Sequence, residues 1–291
     1  MRNQRIPEGL DRRTFMKTAA AATVAASVAP WHVASAATAP LAGRAKKSVI
    51  YNMFQSNAPV VDKYKILREV GFEGLEIRFR DPEDPDEMRR ASEEAELPIH
   101  SVMLGSVDNI DGAVDLATAV GATAVLLVAG RVNENMPYKE NYERTQGIIR
   151  DALPYAEEKE VHLLVENVWN NFLLSPLEMA RYVDELDSPY AGAYFDVGNV
   201  VRFAYPEHWI PVLGERIKRV HIKEYCREKQ NNEGLWKGFD VELGEGSIDW
   251  EAVRREFVAI DYNGWITAEV SGGGKERMQE ISDRMDSVLA L

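Results

Sequence analysis

Short runs of β-branched and apolar residues alternate along the chain with longer stretches whose apolar positions recur every three or four residues, the two periods that separate strands from helices. The strand candidates are residues 48–53 (SVIYNM), 74–79 (GLEIRF), 98–104 (PIHSVML), 124–129 (AVLLVA), 162–168 (HLLVENV), 191–197 (AGAYFDV), 217–223 (IKRVHIK) and 264–270 (GWITAEV). Between them a helical period runs over 60–70, 85–96, 112–120, 138–160, 176–187, 248–260 and 275–290, with helix-ending pairs at Val70-Gly71 and Val120-Gly121. Eight strands in alternation with helices over about 250 residues predict an α/β protein built as one closed (β/α)8 barrel. A doubly wound sheet would place a glycine-rich phosphate turn after its first strand, and none follows Tyr51-Asn52-Met53. Gly272 to Gly274, after the last strand, read either as an anion-binding loop or as a plain flexible connection.

Residues 1–36 stand outside this alternation. Arg12-Arg13-Thr14-Phe15-Met16-Lys17 precede an apolar, small-residue stretch from Thr18 to Pro30 and then Ala34-Ser35-Ala36. A basic start, a short apolar middle and an A-x-A end describe a cleavable signal peptide, with an amphipathic amino-terminal helix as the alternative. The paired arginines resemble the twin-arginine export signal, with Asp11 where Ser or Thr is usual and Met16 in place of Leu. That resemblance implies export in folded form to the periplasm or beyond, with any cofactor already loaded. Cleavage after Ala36 would leave residues 37–291 as the barrel, with no membrane anchor.

The overall balance, 34 Lys plus Arg against 47 Asp plus Glu for a formal charge of -13, argues against nucleic acid as a partner. Removing the leader makes the chain more acidic, because it carries Arg2, Arg5, Arg12, Arg13 and Lys17 against only Glu8 and Asp11. Cys226 is the single cysteine, so no intramolecular disulfide can form.

In a barrel of this kind chemistry sits at the carboxyl ends of the strands, where a charge needs a partner or a metal. Four successive strands end in such residues: Glu166 on the fifth, Asp196 on the sixth, His221 on the seventh and Glu269 on the eighth. Each has an ordinary structural reading alone, as an ion-paired glutamate, a turn-capping aspartate or a core histidine. Together they would crowd carboxylates at one level, which costs several kcal/mol unless a divalent cation neutralises them. Two Glu, one Asp and one His suit a hard or borderline ion with positions left for substrate oxygens. Lys223 shares the face of His221 and should point into the mouth, either toward substrate or as a buried partner of Glu. His100 could reach substrate or serve the core, and Glu76 reads mainly as structural. Trp169, Trp209, Trp236 and Tyr225 could wall a sugar site or simply cover loops, and residues 226–240 read as a mobile lid or a passive excursion.

The chain resembles the xylose-isomerase-like barrels of sugar and sugar-phosphate isomerases and epimerases, from Gly71-Phe72-Glu73-Gly74-Leu75-Glu76 to Tyr262-Asn263-Gly264-Trp265. The most specific matches are Glu166-Asn167, Asp196-Val197-Gly198-Asn199, His221-Ile222-Lys223-Glu224, Gly244-Glu245-Gly246-Ser247-Ile248-Asp249-Trp250 and Glu269. The resemblance implies a single TIM barrel in which Glu166, Asp196, His221 and Glu269 hold one divalent ion, commonly manganese, with magnesium, cobalt or zinc in relatives. It also implies that Arg227 contacts substrate oxygens, as in ketose 3-epimerases. Several of those epimerases have His where this chain has Asn199, and a second Glu where it has Phe172, so Asn199 stands at a substrate position with a different side chain.

A proton next to a carbonyl becomes removable when a cation bridging carbonyl and hydroxyl oxygens stabilises the enediolate that forms. Glu166 taking the proton and Glu269 returning it on the opposite face gives epimerisation; return to the neighbouring carbon gives isomerisation, and loss of a β-substituent gives elimination. The expected protein is therefore a metal-dependent isomerase or epimerase of a small sugar. A lyase acting on an oxidised keto-glycoside is the nearest alternative, followed by a non-catalytic sugar-binding protein. An apurinic endonuclease would need more histidine ligands than His100, His162, His208 and His221 supply. A homo-oligomer remains open.

Overall fold

A computed structural model describes residues 40–81 and 83–291, so the expected signal peptide lies outside the described residues. The strands are β1 (Ala45–Ile50), β2 (Gly74–Arg78), β3 (Ile99–Met103), β4 (Ala124–Leu127), β5 (His162–Glu166), β6 (Ala191–Asp196), β7 (Ile217–Ile222) and β8 (Gly264–Ala268). They pair in parallel in chain order, and β1 closes on β8 through Ala45 opposite Gly264 and Val49 opposite Ala268. The helices are α1 (Val60–Glu69), α2 (Pro85–Ala95), α3 (Ile110–Val120), α4 (Tyr138–Glu158), α5 (Pro176–Asp184), α6 (Val197–Val201), α7 (Pro206–Leu213), α8 (Arg227–Glu233), α9 (Trp250–Ala259) and α10 (Lys275–Leu289). The expected closed (β/α)8 architecture is the one observed. No helix among the described residues is long and apolar enough to cross a membrane.

Strand alternation divides the core. Val125, Leu127, Leu163, Val165, Ala193 and Phe195 belong to the large layer between barrel and helices. Their neighbours Ala124, Leu126, Leu164 and Tyr194 form a separate small cluster and so face the barrel interior. With these side chains filling the barrel, polar residues that continue the same inward row emerge at the mouth.

The largest departure from the expected strand bounds is at β1. β1 starts three residues earlier than 48 and ends at Ile50, with Tyr51–Met53 in a 3-10 turn. Lys46 and Lys47 masked its start, but Lys47 is buried because its ammonium meets Asp286 at 2.5 Å and the carbonyl oxygen of Ser282 at 3.2 Å. Helices α6, α7 and α8 fall in segments where no helical period was read. α6 has only 5 residues, with Asp196 at its amino end accepting from the Asn199 amide, too short to display a period.

Candidate functional site

The inward row of β5 passes from Leu164 to Glu166, that of β6 from Tyr194 to Asp196, and β7 contributes His221. Glu269 follows the last residue of β8. These four side chains converge, with one ligand atom from each lying within 4.8 Å of the others. Glu166, Asp196 and His221 are buried, whereas the Glu269 side chain is 32% exposed and marks the open side.

His221 is held from below. Its Nε2 donates to Glu76 Oε2 at 2.7 Å, and the same oxygen accepts from the Tyr194 hydroxyl at 2.8 Å. Nδ1 then faces Glu166 at 3.2 Å and Glu269 at 3.6 Å. A carboxylate behind a histidine is the arrangement that fixes ring orientation and tautomer at metal sites. Sequence reading gave Glu76 a structural role; the structure adds that it orients the only nitrogen donor of the cluster. Its partner is 145 residues away, so only the barrel topology reveals it.

Lys223 does point into the mouth. Its ammonium lies 3.0 Å from Asp196 Oδ2 and 2.5 Å from Glu269 Oε2, and it is the group that meets both of these buried oxygens. Gly198 makes this position available, because a Cβ there would lie 2.3 Å from the Lys223 side chain. Burial pushes Glu166 up to about 7, against the pull of His221 and with the help of Glu269 and Asp196. Burial likewise raises Asp196, partly offset by Lys223. Glu269 moves the other way: burial would raise it, but Lys223 and His221 hold it below its ordinary value. Burial alone would lower His221, and Glu76, Glu166 and Glu269 raise it well above the usual range.

Three carboxylates and a nitrogen, with two buried oxygens met by the Lys223 ammonium, are a donor set that fits a divalent cation. In the metal-free protein the charge of the carboxylates is met by Lys223 and by a His221 whose pKa they raise.

The other expected contacts fall elsewhere. His100, second in β3, lies inside the barrel beneath the mouth; its Nε2 meets Ser48 at 2.8 Å and Thr267 at 3.2 Å, and its ring stacks on Trp265 at 4.7 Å. It is not brought to the cluster. Asn199 donates its side-chain amide to the Asn167 carbonyl oxygen at 3.0 Å, and Asn167 in turn brackets the Asp196 backbone through two bonds of 2.8 Å. Asn199 thus ties the β5 and β6 loops together. Arg227 donates to the carbonyl oxygens of Val201 and Ala204 and stacks on Tyr205, fastening the loop between α6 and α7. Glu224 accepts from the Gly244 amide and the Trp250 indole, which joins two motifs far apart in sequence. Phe172 is buried against Tyr138, Tyr142 and Tyr182. Gly272 to Gly274 bond through Gly273 to Met53 and Gln55 and so brace the β1 turn. Trp169, Trp236, Phe239 and Tyr225 do cluster above the mouth, while Trp209 instead packs in the core beside Phe195. A cavity of about 380 Å³ opens beside Lys223 and Glu269, bounded by Phe239, Glu242 and Arg277.

Residues 64–289 match the family described as Xylose isomerase-like TIM barrel. Among curated proteins, the chain is 29% identical over 122 residues to the 3-oxo-isoapionate decarboxylase of Pectobacterium atrosepticum, covering 40% of this chain and 42% of that protein. It is 27% identical over 150 residues to SgbU of Escherichia coli, named as a candidate L-ribulose-5-phosphate 3-epimerase, covering 50% and 52% of the two chains. The chain thus spans about half the length of the curated relatives it matches. Among solved structures, the apo form of the 3-keto-D-glucoside 4-epimerase YcjR from E. coli superposes with a TM-score of 0.69 at 15% identity, over 85% of this chain and 100% of that one, a likeness of fold.

Proposed function

Taking as premise that this chain belongs to the xylose isomerase-like TIM barrel family, we propose that it is a divalent-metal-dependent isomerase or epimerase of carbohydrates with Glu166 and Glu269 as its acid/base pair. The observation that carries this reading is the buried convergence of Glu166, Asp196, His221 and Glu269 at an open barrel mouth. Those four residues would hold the metal; an oxygen-rich set suits magnesium or manganese, and the family resemblance favours manganese. When bound, the ion supplies Lewis-acid stabilisation of the negative charge that develops on the sugar oxygens as an enediolate forms.

The chain's own groups do the rest. Glu166, raised by burial to about 7 in the metal-free protein, would be ionised on ligating the metal and so present a carboxylate to take a proton from carbon. Glu269, kept ionised by Lys223 and His221 but on the exposed side of the cluster, would take a proton from solvent and hand it to the opposite face of the carbon. Lys223 lies between Asp196 and Glu269 and can donate to a substrate oxygen arriving from the adjoining cavity. Glu76 keeps Nδ1 of His221 aimed at the cluster.

Solvent-deuterium exchange into a panel of keto-sugars, after metal analysis of the purified protein, tests the proposal. Glu166→Gln and Glu269→Gln should each lower exchange by about 10²- to 10⁴-fold, the usual worth of a positioned acid or base. Exchange unaffected by either change would remove the acid/base assignment. A lyase reading is favoured by one feature: Phe172 is buried away from the mouth and Asn199 is tied to a loop, so neither supplies the contact expected of a ketose 3-epimerase. Product NMR on an oxidised glycoside separates the two, because elimination breaks a C–O bond and releases an alcohol, whereas epimerisation conserves every bond but one C–H.

A further inference from the structure

Beyond the ends of β3, β4 and β5 a second cavity of about 560 Å³ opens, starting two residues past Glu166. One wall is aromatic. Trp169 is locked by its indole bond to the Asn199 carbonyl oxygen and by contacts with Tyr225 and Phe239. Trp236 stands beside it, ring centres 4.9 Å apart, and is left 68% exposed. A tryptophan that exposed over a cavity is an unsatisfied stacking surface of the kind that receives sugar rings.

The same cavity also carries cationic groups. Arg131 and Arg144 both line the cavity. Arg144 is seated through its bond to the buried Asn141 amide at 3.2 Å, and Gly130, at φ +66, gives it room, since a Cβ there would lie 2.7 Å from its guanidinium. Several arginines, among them Arg181, Arg216, Arg277 and Arg284, sit in ion pairs with carboxylates. Among the described residues Arg131 and Arg144 form no such pair, and although Asp108 also lines the cavity it pairs with neither. In so acidic a chain, two unpaired arginines lining one cavity with an open tryptophan mark a place for an anion on a flat ring.

We propose that this cavity is a subsite for a second sugar residue bearing an anionic group, its ring stacked on Trp236 and its charge met by Arg131 and Arg144. This deepens the carbohydrate reading above and rests on it, extending the substrate from a single sugar to an acidic glycoside. A uronate carboxylate and a sugar phosphate share the required chemistry, and two arms of one titration separate them.

Manganese-loaded protein is titrated, by tryptophan fluorescence and calorimetry, with digalacturonate against its dimethyl ester, and with glucose 6-phosphate against glucose. In at least one pair the anion should bind roughly tenfold more tightly than its neutral counterpart, the size of one charge-assisted contact. That pair names the anion. Arg131→Gln with Arg144→Gln should close the gap, and Trp236→Ala should weaken both members. If the double variant melts early, each single variant should narrow the gap instead. No discrimination in either pair, a gap that survives the arginine changes, or binding indifferent to Trp236→Ala overturns the proposal. Binding is read without turnover, so a failed exchange experiment leaves this test intact, and failure here leaves the exchange experiment intact.

Discussion

His221 shows how one side chain is tuned by residues that never reach substrate. Its Nε2 proton is committed to Glu76, whose Oε2 is also bonded by Tyr194, so the ring cannot turn or change tautomer without breaking a buried charge-assisted bond. Glu76→Gln keeps the shape but removes the charge and presents an amide that can orient wrongly. Manganese affinity, measured by calorimetry, is expected to fall about 10- to 100-fold, the cost typical of losing such a supporting carboxylate. Unchanged affinity would mean that packing alone orients the imidazole. Lys223 acts in the opposite sense, since its ammonium neutralises Asp196 and Glu269 where a cation would do so more completely.

At the level of elements, the site depends on how adjacent strand ends are joined. Asn167 both donates to the Asp196 carbonyl oxygen and accepts from its amide, which sets the height of β6 against β5. Asn167→Ala leaves two buried backbone groups without partners, so thermal denaturation should show a loss of about 1–3 kcal/mol together with weaker manganese binding. A stability loss with metal affinity untouched would show that the clamp holds the loops but not the ligands. Strand ends such as Val165-Glu166 and Phe195-Asp196 were legible in the sequence because an apolar run stops at a charge, and the eightfold alternation gave the barrel. Lys46 and Lys47 concealed the start of β1, since the carboxylate that lets Lys47 be buried, Asp286, lies on α10. The roles of Glu76, Asn199 and Arg227 were equally hidden, because each is decided by a partner on another element. The depth of His100 was left open for a simpler reason: a strand candidate shows which residues alternate, not how deep in the barrel each one sits.

For the molecule as a whole, the cluster makes stability depend on pH in a direction opposite to that of most carboxylate-rich proteins. Glu166 rises from 4.5 to about 7 on folding, so the folded state holds a proton that the unfolded chain has released, and stability falls as pH climbs through that window. Asp196, also raised, acts in the same sense, and His221, raised above 6.5, contributes stability below that value which is lost as pH passes its folded value. Glu269 is lowered and opposes them, but its contribution is complete above 4.5. In EDTA the melting temperature should therefore be lower at pH 8.0 than at pH 5.5, by an amount on the order of 2 kcal/mol from Glu166. Manganese reverses the trend, because ligation requires ionised carboxylates and releases the proton held by Glu166, so the stabilisation on adding metal should be larger at pH 8.0. Glu166→Gln removes the titrating group and should flatten the metal-free difference. A metal-free protein as stable at pH 8.0 as at pH 5.5, or a difference undiminished in Glu166→Gln, would show that these carboxylates are not held together tightly enough to resist losing their protons, and a cluster that loose would have little need of a cation.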